Sequence, residues 1–293
     1  MDYEVFKWAL LEEVRSMAPK GTRVRLRLIP KNNDVPAEGI CLENDEDHFS
    51  PVIYLKALYV DFCRGMTLGE VARSVLESHR HAMEDVSAPM EGRPAYATVK
   101  DRLYCRLINT EMNQAFLEKV PHVRMLDLSI IFYYEVYLNA RCPGTVTVRR
   151  EDCEAWEVTT DDLYELALSN ACRKKGLSFE DILQMIGDMG GPQMPVEPPV
   201  PLYVLTNETR VFGASAILYP GTLDMISARL KDDYYVLPSS IHELLILPAA
   251  QAPPLESVKH MVASVNSTEV LPEEVLSDSV YYYNVAKGRL TRM

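Results

Sequence analysis

Tyr234-Tyr235-Val236-Leu237-Pro238-Ser239-Ser240-Ile241-His242-Glu243-Leu244-Leu245-Ile246-Leu247 places two short apolar runs on either side of a proline, two serines, a histidine and a glutamate. Short runs rich in tyrosine, valine and isoleucine, bounded by proline and polar residues, have the length and composition of buried strands. Tyr234–Leu237 and Leu244–Leu247 are therefore expected to be strands. The polar block between them is expected to be a turn in the core of a C-terminal domain.

On either side the chain continues in short elements. Downstream, Leu255–Asn266 reads as a helix, and Val280–Tyr283 with the segment past Lys287-Gly288 as a strand pair. Upstream, Leu202–Thr206 and Ala214–Leu218 read as strands and Thr222–Leu230 as a helix. Residues 187–199 contain Gly187, Gly190, Gly191, Pro192, Pro195, Pro198 and Pro199, a density that neither a helix nor a central strand tolerates. Residues 187–200 are thus expected to link an N-terminal α+β domain, 1–186, to a C-terminal α+β domain, 201–293.

In the first part, Phe6, Leu10, Val14 and Met17 fall on one helical face. Arg23–Ile29 alternates, with Val24, Leu26 and Leu28 on one side and Arg23, Arg25 and Arg27 on the other, as in a half-buried strand. Lys31–Asp34 is a turn, Gly39–Glu43 a return strand and Ser50–Leu55 a third strand. Thr67-x-x-Glu70 is a capping box opening an amphipathic helix, and Val86–Tyr96 is a loop. Val99–Leu107 and Met125–Leu138 read as strands, the second long and unbroken. Asp161–Cys172 reads as a helix after a Thr159/Thr160 cap, and Phe179–Ile186 as another after a Ser178-x-x-Asp181 box. The recurring strand–strand–helix order predicts an α+β fold. Its sheets should be mixed or antiparallel, with helices packed on one face, in two lobes.

Hydrophobic residues make up 47% of the 293 and charged residues 25%, enough for a sizeable core without cross-links. Six cysteines occur without a C-x-x-C pair, which points to a reducing, cytoplasmic location. The start of the chain is charged and amphipathic, unlike a secretory leader, and no apolar run is long enough to span a bilayer. A net charge of -12, spread along the chain, disfavours nucleic acid as a partner. A protein partner or a second copy of the chain stays open, and the tyrosines at 234, 235, 281, 282 and 283 would suit an interface or fill strands.

Ser239, Ser240, His242 and Glu243 include the residue types of a nucleophile, a base and an orienting acid. In an extended segment Ser240 and His242 share a face with Cβ atoms about 6–7 Å apart, too far for a direct local dyad. The competing reading is structural: Ser240-x-x-Glu243 as a capping box for one helical turn, with His242 bonded to a carbonyl. A second polar cluster runs from Asn266 to Glu269 and on to Asp278 and Ser279. Catalytic candidates are Ser240, His242 and Asp278, with Asn32 or Asn207 as a further partner. Ligand-binding candidates are Ser239, Ser240, His242, Glu243, Asn207 and Asn266.

His79-x-His81 diverges around a helix, and Glu43–His48 lacks calcium-loop spacing. No Walker loop, G-x-G-x-x-G or zinc-spaced Cys/His set occurs. Neither a metal nor a cofactor is expected.

Several blocks together resemble a bacterial family of unknown function. They are Lys31–Asp34, Ser50-Pro51-x-Ile53-Tyr54-Leu55, Val120-Pro121-His122-x-Arg124 with Leu126-Asp127-Leu128, Tyr203–Asn207, Phe212-Gly213-Ala214 with Ile217–Gly221, Leu237–Glu243, and Glu273–Tyr283. The family is domain of unknown function 5688. The Pro-Ser-Ser-x-His-Glu block and the Val265–Tyr283 ending also resemble, more distantly, domain of unknown function 1444. The resemblance implies a bacterial cytosolic protein and supplies no activity, cofactor or catalytic residue. The residues leave the question of catalysis open. The leading expectation is a non-catalytic binding or regulatory module. The alternatives are a hydrolase or transferase built around Ser240, His242 and Asp278, and nucleic-acid binding through the Arg23–Lys31 strand.

Overall fold

The computed structural model describes residues 1–43, 51–85, 89–90, 93–137, 143–188 and 200–293. By internal contacts the chain forms two units: Met1–Arg102 with Tyr134–Thr147, and Leu103–Tyr133 with Val148–Met293. Both combine helices with antiparallel sheet, an α+β fold.

The first unit begins with α1 (Tyr3–Met17), whose N-cap Asp2 accepts from the Val5 amide at 2.9 Å. Strands β1 (Arg23–Pro30), β2 (Pro36–Glu43) and β3 (Val52–Tyr54) form one antiparallel sheet, followed by α2 (Leu55–Cys63) and α3 (Leu68–Asp85). Phe6, Leu10, Leu11 and Val14 of α1 share a core with Val24, Ile40, Leu42, Val71, Ala72 and Val75. The β1–β2 turn puts Asn33 and Asp34 at φ 62 and 54, a conformation these short polar side chains tolerate.

Inward burial fades along β1. Val24 is buried and Leu26 partly so, but Leu28 is 68% exposed. The alternation predicted for β1 thus describes a half-covered strand only in its first half. The Thr67–Glu70 capping box is formed: Glu70 Oε2 accepts from the Thr67 amide at 2.8 Å, and Thr67 Oγ1 from the Glu70 amide at 3.3 Å. The Glu43–His48 stretch, expected as an acidic loop, lies outside the described residues beyond Glu43, whereas in the loop expected at Val86–Tyr96 the described residues pair Pro89–Met90 with Arg93–Pro94 and begin a helical turn at Tyr96.

In the second unit, β4 (Leu103–Asn109), β5 (His122–Met125) and β6 (Leu128–Tyr137) form a sheet in the order β4-β6-β5. Strand β7 (Pro143–Thr147) also pairs with β6, whose residues beyond Tyr133 belong to the first unit. The long strand expected from Met125 therefore begins at Leu128, after a hairpin turn from β5, and runs to Tyr137. Met125 pairs with Leu128, and the turn turns on Leu126 at φ 57. Alternating apolar residues continue through the turn, which hides it from periodicity.

Helices α4 (Arg150–Trp156) and α5 (Thr160–Lys174) follow, the second held by a Thr159–Asp162 capping box. Next come β8 (Ser178–Asp181), α6 (Ile182–Asp188), β9 (Tyr203–Thr206), α7 (Thr222–Leu230), β10 (Tyr234–Leu237), β11 (Leu244–Pro248), α8 (Leu255–Thr268), β12 (Tyr281–Asn284) and β13 (Arg289–Arg292). Six of these strands form one antiparallel sheet in the order β8-β9-β11-β10-β12-β13. Leu237 and Leu247 meet Val258 and Val262 of α8, while Tyr234 turns the other way and donates its hydroxyl to the Leu223 carbonyl of α7 at 3.1 Å.

Two expectations fail here for local reasons. Ser178–Asp181 is a strand, because Phe179 is buried opposite Leu205 and Asp181 caps the next turn by accepting from the Leu183 amide at 2.8 Å. Gly213–Leu218 is a buried 3-10 segment rather than a strand. It starts from Phe212 at φ 52, and Gly213 lies so close to Thr206 and the His242 carbonyl that a Cβ would collide with both.

Strands β8 and β9 pair across the Pro/Gly-rich stretch, so the contact-defined units divide the chain elsewhere than at 187–200. Residues 189–199 of that stretch lie outside the described residues. Among the described residues, no helix is long and apolar enough to cross a membrane.

Candidate functional site

The Pro238–Glu243 block joins β10 to β11, which pair from Tyr234↔Pro248 to Leu237↔Leu245. Its backbone is tied at three points to the segment before β12. The Ser277 amide donates to the Pro238 carbonyl at 2.8 Å, the Leu276 amide to the Ser239 carbonyl at 3.0 Å, and the Ile241 amide to the Glu274 carbonyl at 2.9 Å. Ser239 and Ser240 are each only 6% exposed, and the Ser239 peptide N–H and carbonyl are both bonded, to the Leu237 carbonyl and the Leu276 amide. This pairing replaces the helical turn expected there. Ser240 Oγ accepts from the His242 amide at 3.0 Å, a two-residue turn rather than a bond to Glu243.

His242 is held on three sides. Its Nδ1 accepts from the Phe212 amide at 3.2 Å, its carbonyl accepts from Thr206 Oγ1 at 2.8 Å, and its ring stacks on Phe212 at 5.6 Å. The expected ring bond to a carbonyl is thus an acceptance from an amide. With Nδ1 accepting, the neutral ring carries its proton on Nε2, which faces Glu274 Oε1 at 3.6 Å. The Arg106 guanidinium also lies over the Phe212 ring, 4.7 Å from its centroid. Beside His242, burial pushes the Glu243 carboxyl up, with His242 opposing.

The remaining candidates have other partners. Asn207, 3% exposed, closes a turn: Nδ2 donates to the Val211 carbonyl at 2.9 Å and Oδ1 accepts from Thr209 Oγ1 at 2.9 Å. Asn266 donates from Nδ2 to the Ser277 carbonyl at 3.1 Å and to Asp278 Oδ1 at 2.7 Å. Among the described residues, no hydrogen bond or ion pair joins the side chains of Ser240, His242 and Asp278. Asn32 lies in the β1–β2 turn of the first unit. Arg25 and Arg27 both pair with Glu43, and His79 meets the Leu42 carbonyl through Nε2 at 3.1 Å. Among the described residues, no group of three or more His, Cys, Asp or Glu is placed to hold a metal ion.

The residue that sequence reasoning passed over is Asp127. The Leu126 turn delivers its carboxylate to the polar cluster before β12, where it accepts from Ser277 Oγ at 2.7 Å, Ser279 Oγ at 2.8 Å and the Tyr281 hydroxyl at 2.5 Å. The Thr110 amide fixes the Asp127 carbonyl at 3.0 Å, and Arg292 Nε lies 3.9 Å from Oδ2. Burial pushes the Asp127 carboxyl up, but the three hydroxyl donors outweigh it and hold it below the usual carboxylate range. Burial and the Asp127 charge push Tyr281 strongly upward.

Asp233 makes a parallel arrangement with the next tyrosine. It accepts from the Tyr282 hydroxyl at 2.5 Å, Asn284 Nδ2 at 2.8 Å and the Val285 amide at 2.8 Å. An acid interrupting an apolar run was the available signal for Asp127, but its three hydroxyl partners lie 150 to 154 residues along the chain.

No curated protein and no solved structure matches the chain. Residues 3–285, nearly all of it, match a family described as a family of unknown function (DUF5688), and the chain belongs to that family.

Proposed function

We propose that this protein is a non-catalytic binding or regulatory protein of the bacterial cytoplasm. One observation carries this reading. Ser240 Oγ and His242 Nδ1 both accept backbone N–H bonds, and the imidazole proton faces Glu274 rather than a nucleophile. A serine hydrolase needs the opposite arrangement, an imidazole lone pair aimed at the hydroxyl proton. The test is a fluorophosphonate probe applied to the whole chain. No labelling is expected. Labelling that disappears in Ser240→Ala would establish the hydrolase or transferase alternative instead. Nucleic-acid binding through β1 is disfavoured by Glu43, which takes up two of its arginines.

A further inference from the structure

We propose that a polar groove beside α8 binds a small zwitterion, a short molecule carrying both an anionic group and an amine. This rests on the binding reading above and assigns it a place and a ligand class. The groove, ≈ 360 Å³, is lined by Glu256, Lys259 and His260 of α8, Asp278 and Ser279 from the segment before β12, and Arg292 of β13, together with two small apolar residues and Met293. That volume falls within the range of about 300–1,000 Å³ typical of small-ligand sites.

The charges are arranged for a ligand with two signs. Lys259 and Glu256 neutralise each other at 3.1 Å on the outer rim. Asp278 and Arg292 line the same groove but form no ion pair with each other. Asp278 is held instead by a neutral group, the Asn266 amide at 2.7 Å, so no cation offsets its carboxylate among the described residues. Asn266 is 7% exposed, and its Nδ2 is fixed between Asp278 and the Ser277 carbonyl, which sets the carboxylate in place from behind. Arg292 is steered through Nε by Asp127 at 3.9 Å, and its terminal nitrogens make no hydrogen bond among the described residues.

A carboxylate wall and a guanidinium wall thus face a common space without meeting. A simple anion would gain Arg292 but face Asp278, and a simple cation the reverse. A zwitterion satisfies both, its acid group on the planar donor fork of Arg292 and its amine on Asp278. The exposed His260 adds a further donor on the α8 side.

The test is an amide-detected NMR titration of the full chain with glycylglycine, and with N-acetylglycine and glycinamide as its single-charge halves. Glycylglycine is expected to shift the amides of Ala263, Ser279 and Val280, with each half requiring at least about tenfold more ligand. Asp278→Asn, which keeps an acceptor for Asn266, is expected to erase the preference for glycylglycine over N-acetylglycine. Arg292→Ala is expected to abolish binding of both acid-bearing probes. Either half binding as tightly as the dipeptide, shifts away from the groove, or no shifts with the dipeptide overturns the proposal. A silent titration without fluorophosphonate labelling removes the groove and leaves the non-catalytic reading standing. Labelling at Ser240 removes that reading whatever the titration shows.

Discussion

Asp127 and Asp233 make the same bond and belong to different physical regimes. Each accepts from a tyrosine hydroxyl at 2.5 Å, and the two tyrosines are consecutive, so strand pleating sends them to opposite faces of β12. Each carboxyl is held below its ordinary range. For Asp233 the Tyr282 hydroxyl is the leading cause, and burial matters less. For Asp127 burial is the largest single influence and acts against the charge, so only the combined donors keep it ionised. Identical distances therefore do not imply identical contributions. A bond made in solvent replaces water, whereas a bond made in the interior also rescues groups that water cannot reach.

The largest effect that tests this contrast is Asp127→Ala. It strands the hydroxyls of Ser277, Ser279 and the 1%-exposed Tyr281, and should cost about 2–4 kcal/mol in urea unfolding with an unchanged m-value. Tyr281→Phe removes one donor and should cost about 1–2 kcal/mol. Asp233→Asn and Tyr282→Phe should each cost about 1 kcal/mol or less by the same measurement. Equal losses on the two sides would break the comparison.

Acid sharpens it further. A carboxyl whose folded pKa is depressed contributes stability that is fully present above its unfolded value, about 3.9, and is lost as pH falls toward the folded value. Wild-type stability should therefore drop below about pH 4, and part of that drop should vanish in Asp127→Asn, followed by thermal melts across pH 2–6. The smallest expected effect is a gain. Leu126→Gly relieves a side chain held at φ 57 and should be neutral or stabilising by up to about 1 kcal/mol, provided Asp127 keeps its partners.

Features written in neighbouring residues were legible in the sequence. The Thr67–Glu70 box and the cap expected at Thr159/Thr160 close over three residues, and both are formed, the second as a Thr159–Asp162 box. The strands flanking Pro238–Glu243 were legible for the same reason, since short apolar runs bounded by polar residues have few other uses. Ser178–Asp181 carries the same box spelling as the first two, yet pairing with β9 outweighs the local signal. Gly213–Leu218 looked like a strand because small apolar residues suit any buried backbone; its conformation is set by the close approach of Thr206 and His242. The candidate site divided in the same way. Its polar residues were visible, but what each one holds was not. Ser277, Ser279 and Tyr281 find Asp127 across 150 to 154 residues, a relation that no local period encodes.

Three tyrosines in a row leave β12 nearly blind to its own alignment. Sliding Tyr281-Tyr282-Tyr283 by one position would still fill two of its three places with tyrosine, losing only the phenol at Asp127 in one direction or the ring opposite Tyr234 in the other. The information that fixes the alignment must therefore sit at the strand's ends. Ser277 and Ser279 bond only on the Asp127 side, and Asn284 only on the Asp233 side. Four unremarkable polar residues, counting Asp233 itself, thus act as the index marks of a strand whose own letters repeat.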